Sequence, residues 1–368
     1  MGKFPEKCYH VGMAKKIGIM TTGGDCSGLN NVISRLVFSG LGRGYKMFGI
    51  LDGTDGLSTD KPAVLEFDYN TLPAAYARLS GSILRNGKPS ALNYQTAALA
   101  GRGKDFQSNV KKSIEKLGLD AVVLLGGNGS ISLANANPAV YASTQLICIP
   151  KTIDMDIPLT DRTIGFDTAV GELVKYADQL FLTARSHHRW FAVQTMGRDS
   201  GFLCLHAGLA AGASAILIPE TKWKMPALIE HIKKQPTDYG LIFVAEGCKL
   251  RGRSGEIADI IVRDLKAAGI SSRAVFPEHL QRSGDTTAPD RILAARFAAA
   301  ALNAIENNET FVMTALQNGV VKTVSMKDVI DSGVILADPN VPDMCVSNEY
   351  VSPNDPLIRT AAESGVFI

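Results

Sequence analysis

The sequence predicts a doubly wound α/β fold, with a mostly parallel sheet covered on both faces by helices. Short apolar runs, typical of buried strands, alternate along the chain with segments that have a helical pattern. Several of these runs end at glycine-rich or acidic loops, and in open parallel sheets such loops follow the carboxyl ends of strands, where ligands bind. The chain has 368 residues, enough for two or three domains at about 150 residues each.

The individual elements follow from the same pattern, taken in chain order. A helix is expected over 29–38, directly after the first glycine-rich loop, and an alanine-rich buried helix over 292–305. A domain boundary is expected near 164–165, where the polar segment 150–163, which includes the third of the loops described below, ends. The expected strands, each a near-continuous apolar run, are 15–21, 46–51, 120–125, 146–149, 190–195, 215–218 and 240–245.

Composition and charge exclude several classes of protein. Lys plus Arg number 38 and Asp plus Glu 36, so the chain lacks the excess charge of a nucleic-acid-binding or acidic tail protein, and we expect no nucleic-acid partner. No run approaches the roughly 20 apolar residues of a membrane span, the first residues lack the apolar core of a signal peptide, and we expect no membrane partner. The cysteines are scattered, without a Cys-x-x-Cys pair, which suits a reducing compartment, and a cytoplasmic location is expected.

Two glycine-rich loops, 22–28 and 126–130, each follow an apolar run and precede a helical pattern. Glycines let the backbone approach a ligand, and amide groups at a helix N-terminus attract anions. Each loop alone could instead be a tight turn, with Ser27 or Asp25 capping the first helix. Two such loops in one sheet favour phosphate binding.

The third loop, 150–158, places Asp154 and Asp156 two residues apart, beside Lys151 and Thr152. In an extended segment this spacing points both carboxylates to the same side. One of them is able to take a proton from a substrate hydroxyl, and the other to hold Mg²⁺. An isolated Asp-x-Asp pair more often belongs to a solvated loop with no catalytic role. Next to two phosphate loops it indicates phosphoryl transfer.

The second half of the chain supplies arginines, whose guanidinium groups suit phosphate oxygens. Any one of them alone is more often a surface charge or part of an ion pair between subunits. The candidates are Arg185, Arg189, Arg198, Arg273 and Arg282.

Taken together, these segments resemble the 6-phosphofructokinase family, from about residue 15 to about residue 300. The motifs, in family order, are TTGGDCSGLN, LLGGNGS, PKTIDMDIPLTDRTIGFDTA, SHHRWFAVQTMGR, and EHLQRSG followed by PDRILAARF. PKTID together with MGR is specific to that family. The resemblance implies two Rossmann-like lobes with mostly parallel sheets covered by helices. The phosphoryl-donor lobe is expected over 14–164 plus 282–325, and the sugar-phosphate lobe over 165–281 plus 326–368.

The resemblance also implies an activity and a role for each matching residue. It implies transfer of a phosphoryl group to the 1-hydroxyl of fructose 6-phosphate in the presence of Mg²⁺, within a homodimer or homotetramer whose active sites are shared between subunits. Arg189 and Arg273 match arginines that reach across from a neighbouring subunit. The implied catalytic residues are Asp154 as the base, Thr152 and Arg198. The implied substrate contacts are Lys151, Asp156, Arg189, Met196, Gly197, Glu220, Arg273, His279 and Arg282. The implied nucleotide contacts are Gly23, Gly24, Lys88, Gly127, Gly129 and Ser130, and the metal ligands are Asn128 and Asp156.

The phosphoryl donor is expected to be ATP, with pyrophosphate as the alternative. Gly129 leaves room for an α-phosphate that a carboxylate would crowd and repel, although Lys151 also matches the pyrophosphate-dependent members. Asn128 departs from the family, whose second loop normally reads Gly-Gly-Asp. Lys88 and Leu51 differ from the family's usual residues near the nucleotide. These departures leave open a kinase for another sugar phosphate, or a regulatory subunit, but a binding-only subunit has no need to keep Asp154.

Overall fold

The computed structural model describes residues 14–71, 74–87, 103–250, 252–332 and 355–368. Lys88, expected at the nucleotide, lies outside the described residues, as do 333–354 of the expected sugar-phosphate lobe. In chain order the strands are β1 (Lys16–Thr21), β2 (Lys46–Ile50), β3 (Val64–Phe67), β4 (Ala121–Gly126), β5 (Gln145–Pro150), β6 (Trp190–Thr195), β7 (Ala215–Leu217), β8 (Gly240–Ala245), β9 (Ser272–Val275), β10 (Val312–Gln317) and β11 (Val320–Ser325).

The helices cover both faces of the sheets that these strands form. Short 3-10 helices occur at Ala74–Arg78, Pro138–Tyr141 and Glu278–Arg282. The α-helices are α1 (Leu29–Gly42), α2 (Thr54–Leu57), α3 (Gly103–Leu117), α4 (Asn128–Ala136), α5 (Phe166–Ser186), α6 (Phe202–Ala210), α7 (Met225–Lys233), α8 (Ile257–Ala267), α9 (Ala288–Glu306), α10 (Met326–Asp331) and α11 (Pro356–Glu363).

The first sheet has the strand order β11-β10-β5-β4-β1-β2-β3 among the described residues. Its central strands are parallel, and only the edge strands β3 and β11 run antiparallel to their neighbours. From β1 the chain moves to β2 on one side and later to β4 on the other. The order therefore reverses between β1 and β4, and at such a point the loops diverge and leave a crevice for ligands.

The second sheet has the order β7-β8-β6-β9, and all its strand pairs are parallel. The C-terminal residues extend it by one bridge, because Phe367 pairs with Ala215 of β7. Between the two sheets the chain crosses over twice. Helix α5 leads from β5 to the second sheet, and α9 leads back, so that β10 pairs with β5 through Val312 opposite Ile147.

The core has no break between the sheets. Helices α1 and α9 pack against each other on one face of the first sheet, and their buried side chains belong to the same apolar cluster as those of the second sheet. A second cluster fills the other face of the first sheet, where α3, α4 and α10 lie. Within the described part of the chain, no helix is both long enough and apolar enough to cross a bilayer.

The predicted α/β class is confirmed, and the seven predicted strands occur within one or two residues of their expected ends. Helix α1 continues four residues beyond the expected end, to Gly42. The prediction missed β3, β9, β10 and β11, which are edge strands or adjoin one and are only partly apolar. Helix α10, at Met326–Asp331, contacts α4 and β11. It therefore packs on the first sheet, although the segment from 326 onward was expected with the sugar-phosphate lobe.

Candidate functional site

Three loops meet at the carboxyl ends of β1, β4 and β5, which are neighbours in the first sheet. They enclose a cavity of about 490 Å³ at the crevice where the strand order reverses. Two arginines from outside the first sheet's strands complete its wall. The lining residues are Gly23, Gly24, Gly127, Asn128, Gly129, Ser130, Leu133, Lys151, Thr152, Asp154, Asp156, Arg198 and Arg282.

The glycines of the first loop include one with a backbone conformation that other residues avoid, Gly23, and one that packs against the guanidinium of Arg282, Gly24. Gly23 has a φ of +77°, and its carbonyl accepts a hydrogen bond of 3.0 Å from Asn86 Nδ2. A Cβ at Gly24 would lie 2.6 Å from Nη1 of Arg282. That guanidinium instead donates to the carbonyl of Asp25 at 2.9 Å. The loop backbone is therefore held by side chains from distant parts of the chain.

The second loop forms the N-terminus of α4. Gly127 is the capping residue, its carbonyl accepts from the amides of Ser130 and Ile131 at 3.0 and 3.1 Å, and no side chain caps the helix. The first turn carries no acidic residue. A Cβ at Gly129 would meet no atom within 4 Å, so open space adjoins this position. An uncapped helix N-terminus facing open space is suited to an anion.

Lys151 is buried at the start of the third loop, with 2% of its surface exposed. Its Nζ donates to the carbonyl of Gly24, so the side chain joins the third loop to the first. Burial lowers the pKa of Lys151, and the nearby Arg282 guanidinium lowers it further. Lys151 therefore lines the cavity and also forms a hydrogen bond with the backbone of the first loop.

Asp154 and Asp156 are the acidic groups of the cavity. The amide of Asp154 donates to Thr152 Oγ1 at 3.0 Å, which shapes the turn around Met155, where φ is +53°. Burial raises the pKa of both carboxyls, and the neighbouring Asp154 helps to raise that of Asp156 to about 6. Arg282 and Arg198 counteract the rise at Asp154. Within the described residues, the buried Oδ1 of each aspartate has no hydrogen-bond partner.

Arg198 connects this cavity to the second sheet. It has a φ of +53°, and its amide donates to Glu246 Oε1 at 2.7 Å. Nearby, Ser200 Oγ donates to the carbonyl of Asp154 at 3.0 Å. The loop after β6 is therefore bonded directly to the loop after β5. Gly197 precedes Arg198 with a φ of +136°, a conformation that L side chains rarely adopt.

A second cavity, of about 400 Å³, lies at the carboxyl ends of β6 and β8. Met196 forms part of its wall, and the amide of Met196 donates to Gln281 Oε1 at 3.0 Å. Burial raises the pKa of Glu246, with a further contribution from Asp154. The lining residues are Gln194, Thr195, Met196, Glu246, Glu256, Asp259, Phe276, Glu278, His279 and Gln281.

Three of the predicted site residues lie away from both cavity linings. Glu220 is buried and its Oε1 accepts from the amide of Gly201 at 2.8 Å. Arg189 directly precedes β6, and Arg273 pairs with Phe191 near the start of that strand. Both arginines are therefore at the opposite end of β6 from Met196. Every other predicted contact within the described residues is at or beside the two cavities.

Glu246 was missed by the sequence analysis, although it lines the second cavity and bonds to Arg198. It directly follows the predicted strand 240–245, and an acid at the end of a buried strand was the available signal. Among the described residues, no group of three His, Cys, Asp or Glu side chains forms a metal cluster. The donors present are the two aspartates, with unpartnered buried oxygens, and the amide of Asn128. These oxygen donors fit Mg²⁺.

Comparison with known proteins identifies sequence relatives and structural neighbours of this chain. Residues 16–305 match the family model described as Phosphofructokinase. The protein named ATP-dependent 6-phosphofructokinase 1 from Nostoc sp. is 33% identical over 96% of this chain and 99% of its own length. Phosphofructokinase of Pichia pastoris in the T-state aligns with a TM-score of 0.76 and 25% identity over 90% of this chain and 39% of its own. Pyrophosphate-dependent phosphofructokinase from Marinobacter aquaeolei shares the fold, with a TM-score of 0.74 and 16% identity over 96% of this chain and 88% of its own.

Proposed function

The chain belongs to the phosphofructokinase family, and we propose that it transfers the γ-phosphoryl group of ATP to the 1-hydroxyl of fructose 6-phosphate, giving fructose 1,6-bisphosphate. One observation carries the proposal. The buried Asp154 and the partly buried Asp156 lie in the cavity between two glycine loops and two arginines, and the Oδ1 of each has no hydrogen-bond partner among the described residues. Phosphoryl transfer requires such a combination of a proton acceptor, a metal site and a phosphate cradle.

Asp154 acts as the general base for the sugar hydroxyl. Its buried Oδ1 is free to accept the hydroxyl proton as the oxygen attacks the γ-phosphorus. Arg282 and Arg198 favour the ionised form of Asp154 and so counteract the rise in its pKa caused by burial. Thr152 Oγ1 accepts from the amide of Asp154 and fixes the turn that presents the carboxylate.

The glycine loops and the arginines hold the phosphates. The N-terminus of α4 and the backbone around Gly23 and Gly24 form the donor side, where amide dipoles attract phosphate oxygens. Arg198 contributes positive charge toward the transferred group. On the sugar side, His279, Met196 and Glu246 line the second cavity, and Glu246 is suited to accept hydrogen bonds from sugar hydroxyls.

Asp156 and Asn128 would hold Mg²⁺. When bound, the ion neutralises charge on the donor phosphates. Asp156 supplies an unpartnered buried oxygen, and Asn128, at the start of α4, supplies an amide oxygen. The pair carries one formal negative charge, whereas two carboxylates would carry two.

The proposed donor is ATP. The open space beside Gly129 accommodates a nucleotide α-phosphate, and the Nostoc relative, similar over nearly its whole length, is named for ATP. Lys151, which also matches the pyrophosphate-dependent members, donates to the carbonyl of Gly24. The pyrophosphate-dependent structure at 16% identity supports the shared fold only.

A donor assay with a base variant tests the proposal. The purified protein is incubated with fructose 6-phosphate and Mg²⁺, with ATP or pyrophosphate as the donor, and fructose 1,6-bisphosphate is measured with a coupling enzyme. We expect turnover with ATP, and a decrease in kcat of about 10²- to 10⁴-fold in Asp154→Asn, the gain that a general base typically provides.

Asp285→Asn is the matched control, because Asp285 is exposed and outside both cavity linings. Equal or faster turnover with pyrophosphate would refute the choice of donor. A wild-type protein inactive with both donors would refute the activity, and full activity of Asp154→Asn would refute the assigned base.

A further inference from the structure

A buried carboxylate outside the cavity, Asp290, caps α5, the helix that follows the third loop along the chain. Asp290 is in the first turn of α9 and has 0% of its surface exposed. Its Oδ1 accepts from the amide of Gly165 at 3.0 Å, and its Oδ2 accepts from the amide and the hydroxyl of Thr168 at 2.9 and 2.5 Å. Three donors from one segment thus converge on a single carboxylate.

The segment that Asp290 caps has no cap of its own. Gly165 precedes α5 in the left-handed region, with a φ of +100°, and it has no side chain that could accept from the first amides of the helix. Unpaired amides at a buried helix N-terminus are unfavourable, and a carboxylate there also interacts well with the helix dipole. Asp290 therefore provides the N-terminal cap of α5 from a helix distant in sequence.

The capped segment is bonded on its other side to the catalytic loop. Thr163 Oγ1 donates to the carbonyl of Thr152 at 2.7 Å, and the amide of Ile164 donates to the carbonyl of Pro150 at 3.0 Å. The carbonyl of Ile164 accepts from Cys26 Sγ in the first glycine loop, at 3.4 Å. Residues 163–165 therefore lie between the loop that carries the aspartates and the loop that carries Gly23 and Gly24.

We propose that Asp290 is a positioning residue for phosphoryl transfer. By fixing residues 165–168, it holds Thr163 and Ile164 against the loop that presents Thr152 and Asp154. This inference rests on the proposed function, because it concerns the placement of the base in that reaction. A small displacement of a catalytic group slows a reaction more than it weakens substrate binding, so the role is expected to act on kcat.

The test compares Asp290→Asn with the pair Thr168→Val and Thr168→Ser. The asparagine variant replaces an acceptor oxygen by a donor group, and we expect kcat to fall about 10- to 100-fold, with KM for both substrates changed by less than about threefold. Thr168→Val removes one of the three donors to Asp290, together with the hydroxyl oxygen that accepts from the amide of Thr287 at 3.2 Å. It should lower kcat by about two- to tenfold, whereas Thr168→Ser keeps the hydroxyl and should retain the wild-type kcat. Asp328→Asn, the same change at an exposed residue in the first turn of α10, is the control.

Hydrogen exchange of residues 150–168 provides a readout that does not depend on activity. We expect faster exchange there in Asp290→Asn and Thr168→Val, and wild-type exchange in Thr168→Ser. If Asp290→Asn folds and keeps the wild-type kcat, with only its thermal stability reduced, the positioning role is refuted. If it does not fold, equal kcat values for Thr168→Val and Thr168→Ser refute the role. An inactive wild-type protein would instead refute the proposed function, while exchange would still report whether Asp290 holds the segment.

Discussion

Asn128 changes the charge around the proposed metal site. It occupies the first position of α4, where the family resemblance leads one to expect an aspartate, and it lines the same cavity as Asp156. An amide oxygen coordinates Mg²⁺ but carries no formal charge, so the attraction between the site and the ion is weaker than for two carboxylates.

The variant Asn128→Asp should therefore need less Mg²⁺. We expect the Mg²⁺ concentration that gives half-maximal activity to fall by about tenfold, equivalent to about 1.4 kcal/mol for one added charge near the ion. Initial rates measured across a Mg²⁺ titration at saturating ATP provide the comparison. Asn135→Asp, on the same helix but outside the cavity lining, should leave the titration unchanged. Identical curves for wild type and Asn128→Asp would contradict the assignment of Asn128 to the metal site.

The predicted residues that line the first cavity share a local signal in the sequence. Asp154 and Asp156 were identifiable because two acids in alternate positions follow a strand, and the glycine loops because they separate a strand from a helix. Glu220 and Glu246 could not be told apart in this way, since both follow apolar strands of the second sheet. The carboxylate of Glu220 accepts a hydrogen bond from the amide of Gly201, whereas the carboxylate of Glu246 accepts one from the amide of Arg198. Only tertiary structure determines which acid faces the cavity.

The N-terminus of α4 combines helix stability with space for a ligand. Gly129 lies in the first turn of this helix, where alanine is intrinsically more favourable, and an added methyl group would contact nothing in the protein. The glycine is therefore not required by the fold. We interpret it as leaving room for the donor phosphates.

The substitution Gly129→Ala separates these two effects. The variant should be as stable as wild type or more stable, by up to about 1 kcal/mol. Its KM for ATP should rise about tenfold or more, because a methyl group would occupy space that the nucleotide needs. Gly42→Ala, at the end of α1 with no atom within 4 Å of the added methyl group, should leave the KM unchanged. An unchanged KM in Gly129→Ala would contradict the position assigned to the nucleotide.

The helices and strands were predictable to different degrees for a physical reason. Strands buried on both faces, such as β4 and β6, consist of apolar residues throughout and are recognisable as continuous runs. The edge strands β3 and β11 consist mostly of exposed and half-buried side chains. Their pairing depends on neighbours distant in sequence, which a single-sequence pattern does not reveal.

The placement of Arg189 and Arg273 favours a shared active site. Both lie at the opposite end of β6 from Met196 and outside the two cavity linings of their own chain. The lining of the second cavity includes four acids, with His279 as its one cationic candidate among the described residues. A sugar phosphate needs positive charge there, and arginines from a neighbouring copy would supply it.

Mixing two inactive variants tests this arrangement. Arg189→Ala and Asp154→Asn are each expected to be nearly inactive alone. After dissociation and reassociation as random dimers, about a quarter of the wild-type activity should return, because half of the dimers then contain one intact site of two. A mixture of Asp154→Asn with Asp156→Asn should stay inactive, since both changes affect the same side of the site. Failure of the first mixture to recover activity, with subunit exchange verified by mass spectrometry, would contradict the shared site.

Strand β10, which belongs to the first sheet, is synthesised only after the second sheet, and this order affects folding during synthesis. Strand β10 pairs with β5 only after the whole second sheet has been passed in sequence. At ribosomal rates, the edge of β5 that pairs with β10 stays uncovered for on the order of 10 s after its synthesis. The nascent chain during that interval is the form of this protein most open to aggregation, and the form in which a chaperone would find an accessible strand edge.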